Sequence, residues 1–420
     1  MKTIHTMAAR RHRQHGVAAL TVALLLLSVM ALIALFANRS LLFEQKSSAN
    51  QYRAVRAFEM AEAGLEWATA MLNDARPIDA NCTPAAAGTS FRDKYVPSDA
   101  AFTLVPLAGA RPSCRVTAGA LVCSCPDAGQ EPALGDVNDP SFSVAFASVA
   151  ADTGSVQVSA LGCTGLGTQC VPGSTQGRAD ASAGVSVALK LRPLLRALPA
   201  APLTAGGAVA IAGPASLANL DGATQGGLVV AGQTIDVGST ALTTLPGSPA
   251  ANALLGNDAV LDALVHQASD GSAVLNAFFG MTPARLRHAA PLRVIGGSDA
   301  VARAAALRAA YEQGYSAFVA DGDLMFDSSG IGSAARPVLI VSASAVACSA
   351  PCPIAGMVYA DIADRDASDL ANLTVQGAVV TRGRHTQPLG GAIAYDAAVL
   401  KTLRHRNSIF VRVPGSWRDY

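Results

Sequence analysis

The hydropathy pattern of the chain begins with a long apolar run, because no charged residue occurs between Val17 and Ala37. As an α-helix with a rise of about 1.5 Å per residue, this run is about 31 Å long, which matches the thickness of a bilayer core. It is longer than the apolar part of a usual secretory signal, and Leu35 and Ala37 make a poor signal-peptidase site. The pattern therefore predicts a helix that crosses a membrane.

A second apolar pattern follows, in which large and small apolar side chains recur every three or four residues, the spacing of one helix face. These positions are Ala54, Phe58, Ala61, Leu65, Ala68 and Leu72. No proline lies between Val17 and Pro77, so both segments can form one helix of about 57 residues, about 85 Å long. The alternative is an anchor followed by a separate helix. We expect Phe58, Ala61, Leu65 and Leu72 to be the residues through which this helix packs.

Short alternating runs beyond the helix predict β-strands. Residues 76–200 contain "SVQVSALGC" (Ser155–Cys163) and "GVSVALKLRP" (Gly184–Pro193), in which apolar and polar side chains alternate. We expect a strand-rich region, stapled by disulfides, that packs on the second half of the helix. The proline-rich stretch Ala188–Gly207 marks the end of this region.

The rest of the chain repeats a pattern of short apolar strands separated by glycine or alanine. The segments that start at Gly227 and Ala317 align without a gap, so that Val229 matches Val319. The same alignment matches Gly232 with Gly322. Each strand is too short to bury much apolar surface alone, but strands stacked in coils share one core. The pattern predicts a β-solenoid-like unit, with a β-sandwich as the alternative.

Helical patterns interrupt this repeat-like region near residues 250–314. The segment Ser298–Gly314 has Ser298 or Asp299 as its N-cap and a glycine as its stop. A shorter helix is predicted within Gly271–Met281, with Ser272 as its N-cap.

The predicted fold class is α+β, with a long N-terminal helix followed by a mostly β region that is exported. The predicted parts are a leader 1–16, a transmembrane and stalk helix 17–75, a disulfide-stapled strand-rich region 76–200 and a β-rich repeat-like domain 201–420.

Charge sets the expected orientation of the chain. Lys2, Arg10, Arg11 and Arg13 precede the apolar run with no acidic residue among them, which predicts a cytoplasmic N-terminus and export of the rest. The formal net charge is +1, and removal of these four charges leaves about −3. A body with that charge is not expected to bind nucleic acid.

Eight cysteines follow the apolar run, and their spacing includes no pair of zinc knuckles. They are Cys82, Cys114, Cys123, Cys125, Cys163, Cys170, Cys348 and Cys352. In an exported region we interpret them as disulfide-bonded, with buried free thiols as the alternative. Cys123 and Cys125 are too close to bond each other comfortably, so each is expected to have a distant partner. Cys163 with Cys170, and Cys348 with Cys352, are spaced for local loops.

The N-terminal features together resemble a known family. A short basic leader ends in Gly16, and a Gly-x-Ala-Ala-Leu start, a leucine-rich run, an Arg-Ser exit and an Ala-Phe-x-x-Ala-Glu-Ala stalk from Ala57 follow it. Over residues 10–75 this combination resembles the N-terminal region of PilX-type minor pilins, a class of type IV pilin-like proteins. The resemblance implies that prepilin peptidase cleaves the chain between Gly16 and Val17.

The resemblance also implies a structural role in the cell envelope. It implies a single-pass protein of the inner membrane with a large periplasmic domain, which later reaches the pilus tip. The implied partners are other minor pilins, the major pilin and a large tip adhesin, in the complex that primes pilus growth. Major pilins carry a glutamate at the position of Thr21, so ordinary incorporation into the shaft is not expected. The alternatives are a type II secretion pseudopilin and a bitopic envelope protein whose exported domain binds a ligand.

Motifs of catalysis are not found in the chain. It contains neither a Gly-x-Ser-x-Gly elbow nor a P-loop lysine, so we expect no enzyme activity and no cofactor. Asp361, Asp364 and Asp366 are of the residue type that calcium prefers, but their run lacks the glycine turn and distal glutamate of an EF-hand loop. We interpret this run as a solvated loop rather than a metal site.

Overall fold

A computed structural model of the protein describes residues 15–99, 103–134, 139–150, 152–165, 170, 181–211, 214–268, 272–361, 372–385 and 391–420. Its first element is α1, His15–Asn73, one helix of 59 residues. At about 1.5 Å per residue, α1 is about 88 Å long. The alternative of an anchor followed by a separate helix is therefore wrong, because no proline interrupts the helical hydrogen bonding.

The second half of α1 lies against an antiparallel sheet. The first five strands of this sheet are β1 Ser113–Thr117, β2 Ala120–Ser124, β3 Ser141–Ser148, β4 Ser155–Thr164 and β5 Ala181–Pro193. They lie in the order β2-β1-β3-β4-β5. A short helix, α2 Phe91–Tyr95, begins at the N-cap Ser90 and packs beside α1. The two strands expected from alternation are confirmed as β4 and β5, and they pair with each other.

The next region consists of short strands that pair in parallel. The strands of its first part are β6 Leu203–Ala205, β7 Val209–Ala210, β8 Ser216–Ala218, β9 Val229–Ala231, β10 Ile235–Asp236, β11 Ala241–Thr243 and β12 Leu254–Leu255. The strands of its second part are β13 Leu292–Ile295, β14 Ala317–Ala320, β15 Leu324–Phe326, β16 Val338–Ser342, β17 Val346–Cys348, β18 Cys352–Ala360, β19 Leu373–Thr381 and β20 Ala392–Ala394.

The strands of this parallel unit do not stack in sequence order. One side of the stack runs β13-β14-β16-β18-β19-β6-β9-β12, and a second side runs β19-β20-β8-β11. β19 belongs to both sides, because its first half pairs with β20 and its second half with β6. The strands that come first in the chain therefore stack on the strands that come last.

One apolar residue from each of six neighbouring strands of the long side, from β14 to β9, falls in the same row. This row is Phe318, Ile340, Val358, Val379, Leu203 and Val229. All six side chains are buried in one core. The gapless alignment of the sequence is wrong by one residue, because the row of Val229 contains Phe318 rather than Val319. The stacking of short strands on a shared core is as expected from the repeat-like pattern, and its parallel pairing differs from that of a β-sandwich. A continuous solenoid stays a prediction, because residues 362–371 between β18 and β19 lie outside the described residues.

Helices cover the outer face of the long side: α3 Ala259–Gln267, α4 Ser272–Phe279, α5 Pro283–Arg287 and α7 Ala397–Arg406. Tyr359, for example, packs against the rings of Phe278 and Phe279. Strands covered on both faces lose the alternation of apolar and polar residues. Two 3₁₀ turns lie at Gly222–Thr224 and Ala250–Ala253. The helix α6 Ala300–Glu312 instead packs against β15 and β13, and its buried residues belong to the inner core. The predicted helix of residues 298–314 is confirmed as α6, where Asp299 accepts a hydrogen bond from the Ala302 amide.

The last strands of the chain belong to the antiparallel sheet that packs on α1. β21 Ser408–Arg412 and β22 Arg418–Asp419 both pair antiparallel with β5. The parallel unit is thus inserted between β5 and β21. The expectation that residues 201–420 form one repeat-like domain differs from the structure here, because the last strands complete the first sheet.

A buried cation joins the two units at their junction. The Arg92 guanidinium donates hydrogen bonds to the carbonyl oxygens of His405, at 2.8 Å, and Ser408, at 2.9 Å. It also lies over the Phe410 ring, 5.5 Å from the centroid. Burial lowers the pKa of Arg92 to about 10, so the group remains charged at neutral pH. These contacts tie α2, beside α1, to His405 near the end of α7 and to β21.

The structure joins the eight cysteines in four disulfides: Cys82–Cys125, Cys114–Cys123, Cys163–Cys170 and Cys348–Cys352. Cys123 and Cys125 have different partners, and two of the pairs are the local loops expected from spacing. Cys114 and Cys123 lie opposite each other on β1 and β2.

Candidate functional site

The first part of α1 is apolar and has no protein around it. Ala19–Ala37 is long and apolar enough to cross a membrane, and it is the only such helix segment among the described residues. Leu27 is 69% exposed and Phe36 is 75% exposed. Large apolar side chains exposed in this way need lipid or other apolar helices around them.

The middle part of α1 also stands free of the rest of the molecule. Side chains described between residues 38 and 55 are exposed, and Leu41, Phe43, Tyr52 and Val55 are large apolar residues among them. Charged residues such as Lys46 are interspersed with them. This part of the helix presents a mixed surface on which other proteins can pack.

The last part of α1 sits on the antiparallel sheet. Ala57, Ala61, Leu65, Ala68 and Leu72 are buried at the spacing of one helix face. This face lies against β3, β4 and β5. Burial of each leucine side chain contributes about 1.5–3 kcal/mol.

The predicted packing residues differ in how deeply they are buried. Ala61, Leu65 and Leu72 are buried, whereas Phe58 is half-buried. The Phe58 and Trp417 rings form a T-shaped pair with their centroids 6.3 Å apart. Ala54, the first residue of the apolar pattern, is exposed, so contact with the sheet starts at Ala57. The sequence left open whether this face meets the protein's own domain or partner stalks. In the structure it meets the protein's own sheet.

A glycine on β4 allows the helix and the sheet to approach each other closely. A Cβ placed on Gly162 would lie 2.1 Å from the Ala57 carbonyl oxygen and 2.4 Å from the Ala61 nitrogen. On the helix side, a Cβ on Gly64 would lie 3.0 Å from the Phe142 ring. Helix backbone therefore touches strand backbone at Gly162. Sequence reasoning missed this residue, although a glycine inside a predicted strand is a known sign of close backbone approach.

Aromatic rings fix the helix further along the same face. The centroid of the Trp67 ring lies 5.3 Å from the centroid of the Phe91 ring and 5.6 Å from that of the Phe142 ring. Such pairs add about 0.5–1.5 kcal/mol each beyond the area they bury. On the exposed side, Glu66 pairs with Arg412 of β21 at 2.6 Å, and a surface pair of this kind contributes little.

The predicted cleavage site lies at the start of α1. Gly16 and Val17 are helical, but the side chain of Val17 and residues 1–14 lie outside the described part of the chain. Cleavage between them therefore stays a prediction.

The calcium candidates are only partly described. Asp361 is half-buried, and its Oδ1 lies 2.6 Å from Arg382 Nε. Asp364 and Asp366 lie outside the described residues. Within the part of the chain that the structure describes, no three His, Cys, Asp or Glu side chains are grouped as metal ligands.

Comparison with known proteins finds a family similarity at the N-terminal segment. Residues 16–66 match the family model described as PilX N-terminal. No curated protein matches the chain. Among solved structures, the competence-associated pilin ComZ from Thermus thermophilus is 11% identical, with 88% of this chain and 97% of that chain covered. The TM-score of that match is 0.21, which is too low to carry an argument about this chain.

Proposed function

We propose that this protein, which is type IV pilin-like by its PilX N-terminal segment, is a minor pilin that helps to initiate pilus assembly and sits at or near the pilus tip. The observation that carries the proposal is α1, which continues without a break from an apolar membrane span into the buried face that packs on the antiparallel sheet. We call this buried face, from Ala57 to Leu72, the seat of α1, and the antiparallel sheet the first sheet. A helix of this form can be held in a bilayer and can also pack among other helices in a fibre.

Processing is the first step of the proposed function. Prepilin peptidase removes the leader after Gly16 and leaves Val17 as the new N-terminus. Before assembly, the protein spans the inner membrane once, with its N-terminus in the cytoplasm and its body in the periplasm.

A low copy number at the tip is supported by the size of the body and by one residue of the helix. About 345 residues follow the stalk, far more than a shaft subunit can tile against identical neighbours. Thr21 also offers no carboxylate at the position where major pilins carry one. Both features favour a position at the end of the fibre.

The proposed partners contact the exposed middle part of α1. Leu41, Phe43, Tyr52 and Val55 would pack against the helices of other minor pilins and of the major pilin below them. The inserted parallel unit is then left at the outer end, where a large tip adhesin can bind.

Two measurements test the proposal. Mass spectrometry of the membrane-extracted protein should find a chain that starts at Val17, and a start at Met1 or just after Ala37 would contradict pilin-type processing. Quantitative proteomics of sheared pili should find far fewer copies of this protein than of the major pilin. Comparable copy numbers would place it in the shaft and refute the tip position. A correctly processed chain that is absent from pili would favour the secretion pseudopilin.

A further inference from the structure

One end of the parallel stack is open. The outermost strands there are β10, which pairs only with β7, and β11, which pairs only with β8, among the described residues. On the long side the two-residue strand β12 covers β9. We call the outer edges of β10 and β11 the open end.

Backbone groups of the open end point away from the molecule. In β11, the Ala241 amide donates to the Ala215 carbonyl oxygen, and the Thr243 carbonyl oxygen accepts from the Asn219 amide, both at 2.9 Å. Because successive residues of a strand alternate in the direction of their backbone groups, the N–H and C=O of Leu242 point outward. An edge of this kind is a template for pairing with another strand.

The same alternation holds in β10. The carbonyl oxygens of Thr234 and Asp236 accept hydrogen bonds from the preceding coil, so the backbone groups of Ile235 point outward. The side chains of Ile235, Val237 and Leu242 are only half-buried, and they pack against the main core of the stack. The open end thus combines free backbone groups with apolar surface that a capping segment would cover.

The open end lies far from the membrane-anchored half of the molecule. β13 is at the opposite end of the stack, where Pro291 lines a small cavity together with Leu72 and Arg92. Six strand spacings of about 4.8 Å separate β13 from β9, so the open end lies about 30 Å from this junction. It is therefore accessible when the helix is held in a membrane or a fibre.

Charge selects the occupant of the open end. Residues 197–284, which include β6 to β12 and the segments between them, contain five aspartates and neither lysine nor arginine. Asp236 is exposed on β10 itself. The resulting negative potential attracts a basic segment, and it repels a second copy of the same end.

We propose that the open end binds an extended, positively charged segment of another polypeptide, which pairs as an added strand along β11. Backbone hydrogen bonds to Leu242 give the pairing, and aspartates such as Asp236 select for lysine and arginine. This inference does not depend on the proposed function, because the edge is present whether or not the protein enters a pilus.

A phage-displayed library of random ten-residue peptides, selected on the detergent-solubilised full chain, tests the proposal. Peptides that bind should be enriched in lysine and arginine. Leu242→Pro removes the outward N–H without removing a hydrogen bond to the preceding coil, and it should weaken the selected peptides at least tenfold. Leu242→Val keeps that N–H and should leave the affinity within twofold.

A charge reversal supplies a second test that keeps the outward N–H of Leu242, although it removes the hydrogen bond that the Asp236 carboxylate accepts from the Gly238 amide. Asp236→Lys should weaken the same peptides at least tenfold, whereas the matched reversal Asp419→Lys, on the antiparallel sheet, should not. Selected peptides that are acidic, or that bind Leu242→Pro and Asp236→Lys as well as the native chain, would overturn the proposal. Failure to select any peptide would also overturn it. A dimer in sedimentation that Leu242→Pro converts to monomer would make a second copy the occupant instead.

Discussion

Replacement of Gly162 by alanine should loosen the seat of α1 on the first sheet. The added Cβ would lie 2.1 Å from the Ala57 carbonyl oxygen, whereas real Cβ atoms essentially never approach another atom closer than 3.0 Å. The obstacle is backbone on both sides, so no side chain can rotate away. Helix and strand must therefore separate by about 1 Å at this point.

The expected cost follows from that separation. Overpacking of a well-packed interior costs about 1–3 kcal/mol. A gap of about 1 Å along the neighbouring contacts also forfeits a quarter to a half of their dispersion energy. We therefore expect Gly162→Ala to lower the free energy of unfolding by about 2–4 kcal/mol. At a urea slope of about 3 kcal/mol/M, the midpoint falls by about 1 M.

The assay is urea unfolding of the full chain in detergent micelles. Trp67 reports on the seat when Trp417→Phe removes the only other tryptophan. Gly154→Ala is the matched control, because a Cβ there would lie 3.6 Å from its nearest neighbour, an ordinary contact. The control should change the free energy of unfolding by less than about 0.5 kcal/mol.

Three results would refute this account of the seat. Two of them are a Gly162→Ala protein as stable as the native chain and a Gly154→Ala protein that loses as much stability as Gly162→Ala. The other is rescue by Ala61→Gly, because trimming that side chain leaves the clashing backbone atoms in place. In the Gly162→Ala protein, Ala61→Gly should instead lower the free energy of unfolding by about 1 kcal/mol more, the cost of glycine within a helix.

Three further predictions concern charge, pH and redox state. Leu65→Asp places an unpaired charge in the buried face, so it should lower the free energy of unfolding by several kcal/mol. Counts of surface pili should fall, with no change in pilus length. Phe58→Asp, at a half-buried position, should lower the same counts by less. Burial lowers the pKa of His385 to about 4, so the unfolded chain binds a proton that the folded chain does not between about pH 6.5 and pH 4. Stability should therefore fall by up to about 3 kcal/mol as the pH falls through that window, and urea midpoints of His385→Leu should lack this part of the slope. Non-reducing digestion should recover Cys348 linked to Cys352 and no free thiols, whereas eight reactive thiols in protein from intact cells would refute the disulfide framework.

Local patterns in the sequence were sufficient to predict α1. Its apolar residues recur at helical spacing and no proline interrupts it, so the information lies within a few residues of each position. The same holds for α6, which Asp299 caps and Gly314 ends. The burial of Leu65 and Leu72 follows from the same periodicity.

Pairings between distant segments could not be predicted. Ser408 pairs with Pro193, and Phe410 donates its amide to the Asn73 side chain, although neither segment marks its partner by composition. The one-residue error that aligned Val229 with Val319 has the same origin. Strands buried on both faces are apolar at successive positions, so the sequence does not indicate which residue faces the inner core.

The insertion of the parallel unit between β5 and β21 has a consequence for the order of folding during synthesis. The chain leaves the ribosome from its N-terminus, so the edge of β5 waits for a partner more than 200 residues away. Closing so long a flexible loop costs about 5 kcal/mol. In the folded unit, however, Pro193 and Ser408 lie side by side. Prior folding of the parallel unit therefore brings the two strands together and removes most of that cost. Destabilising mutations in the inserted unit should accordingly slow completion of the sheet on which α1 sits, even where the mutated residues contact neither that sheet nor α1.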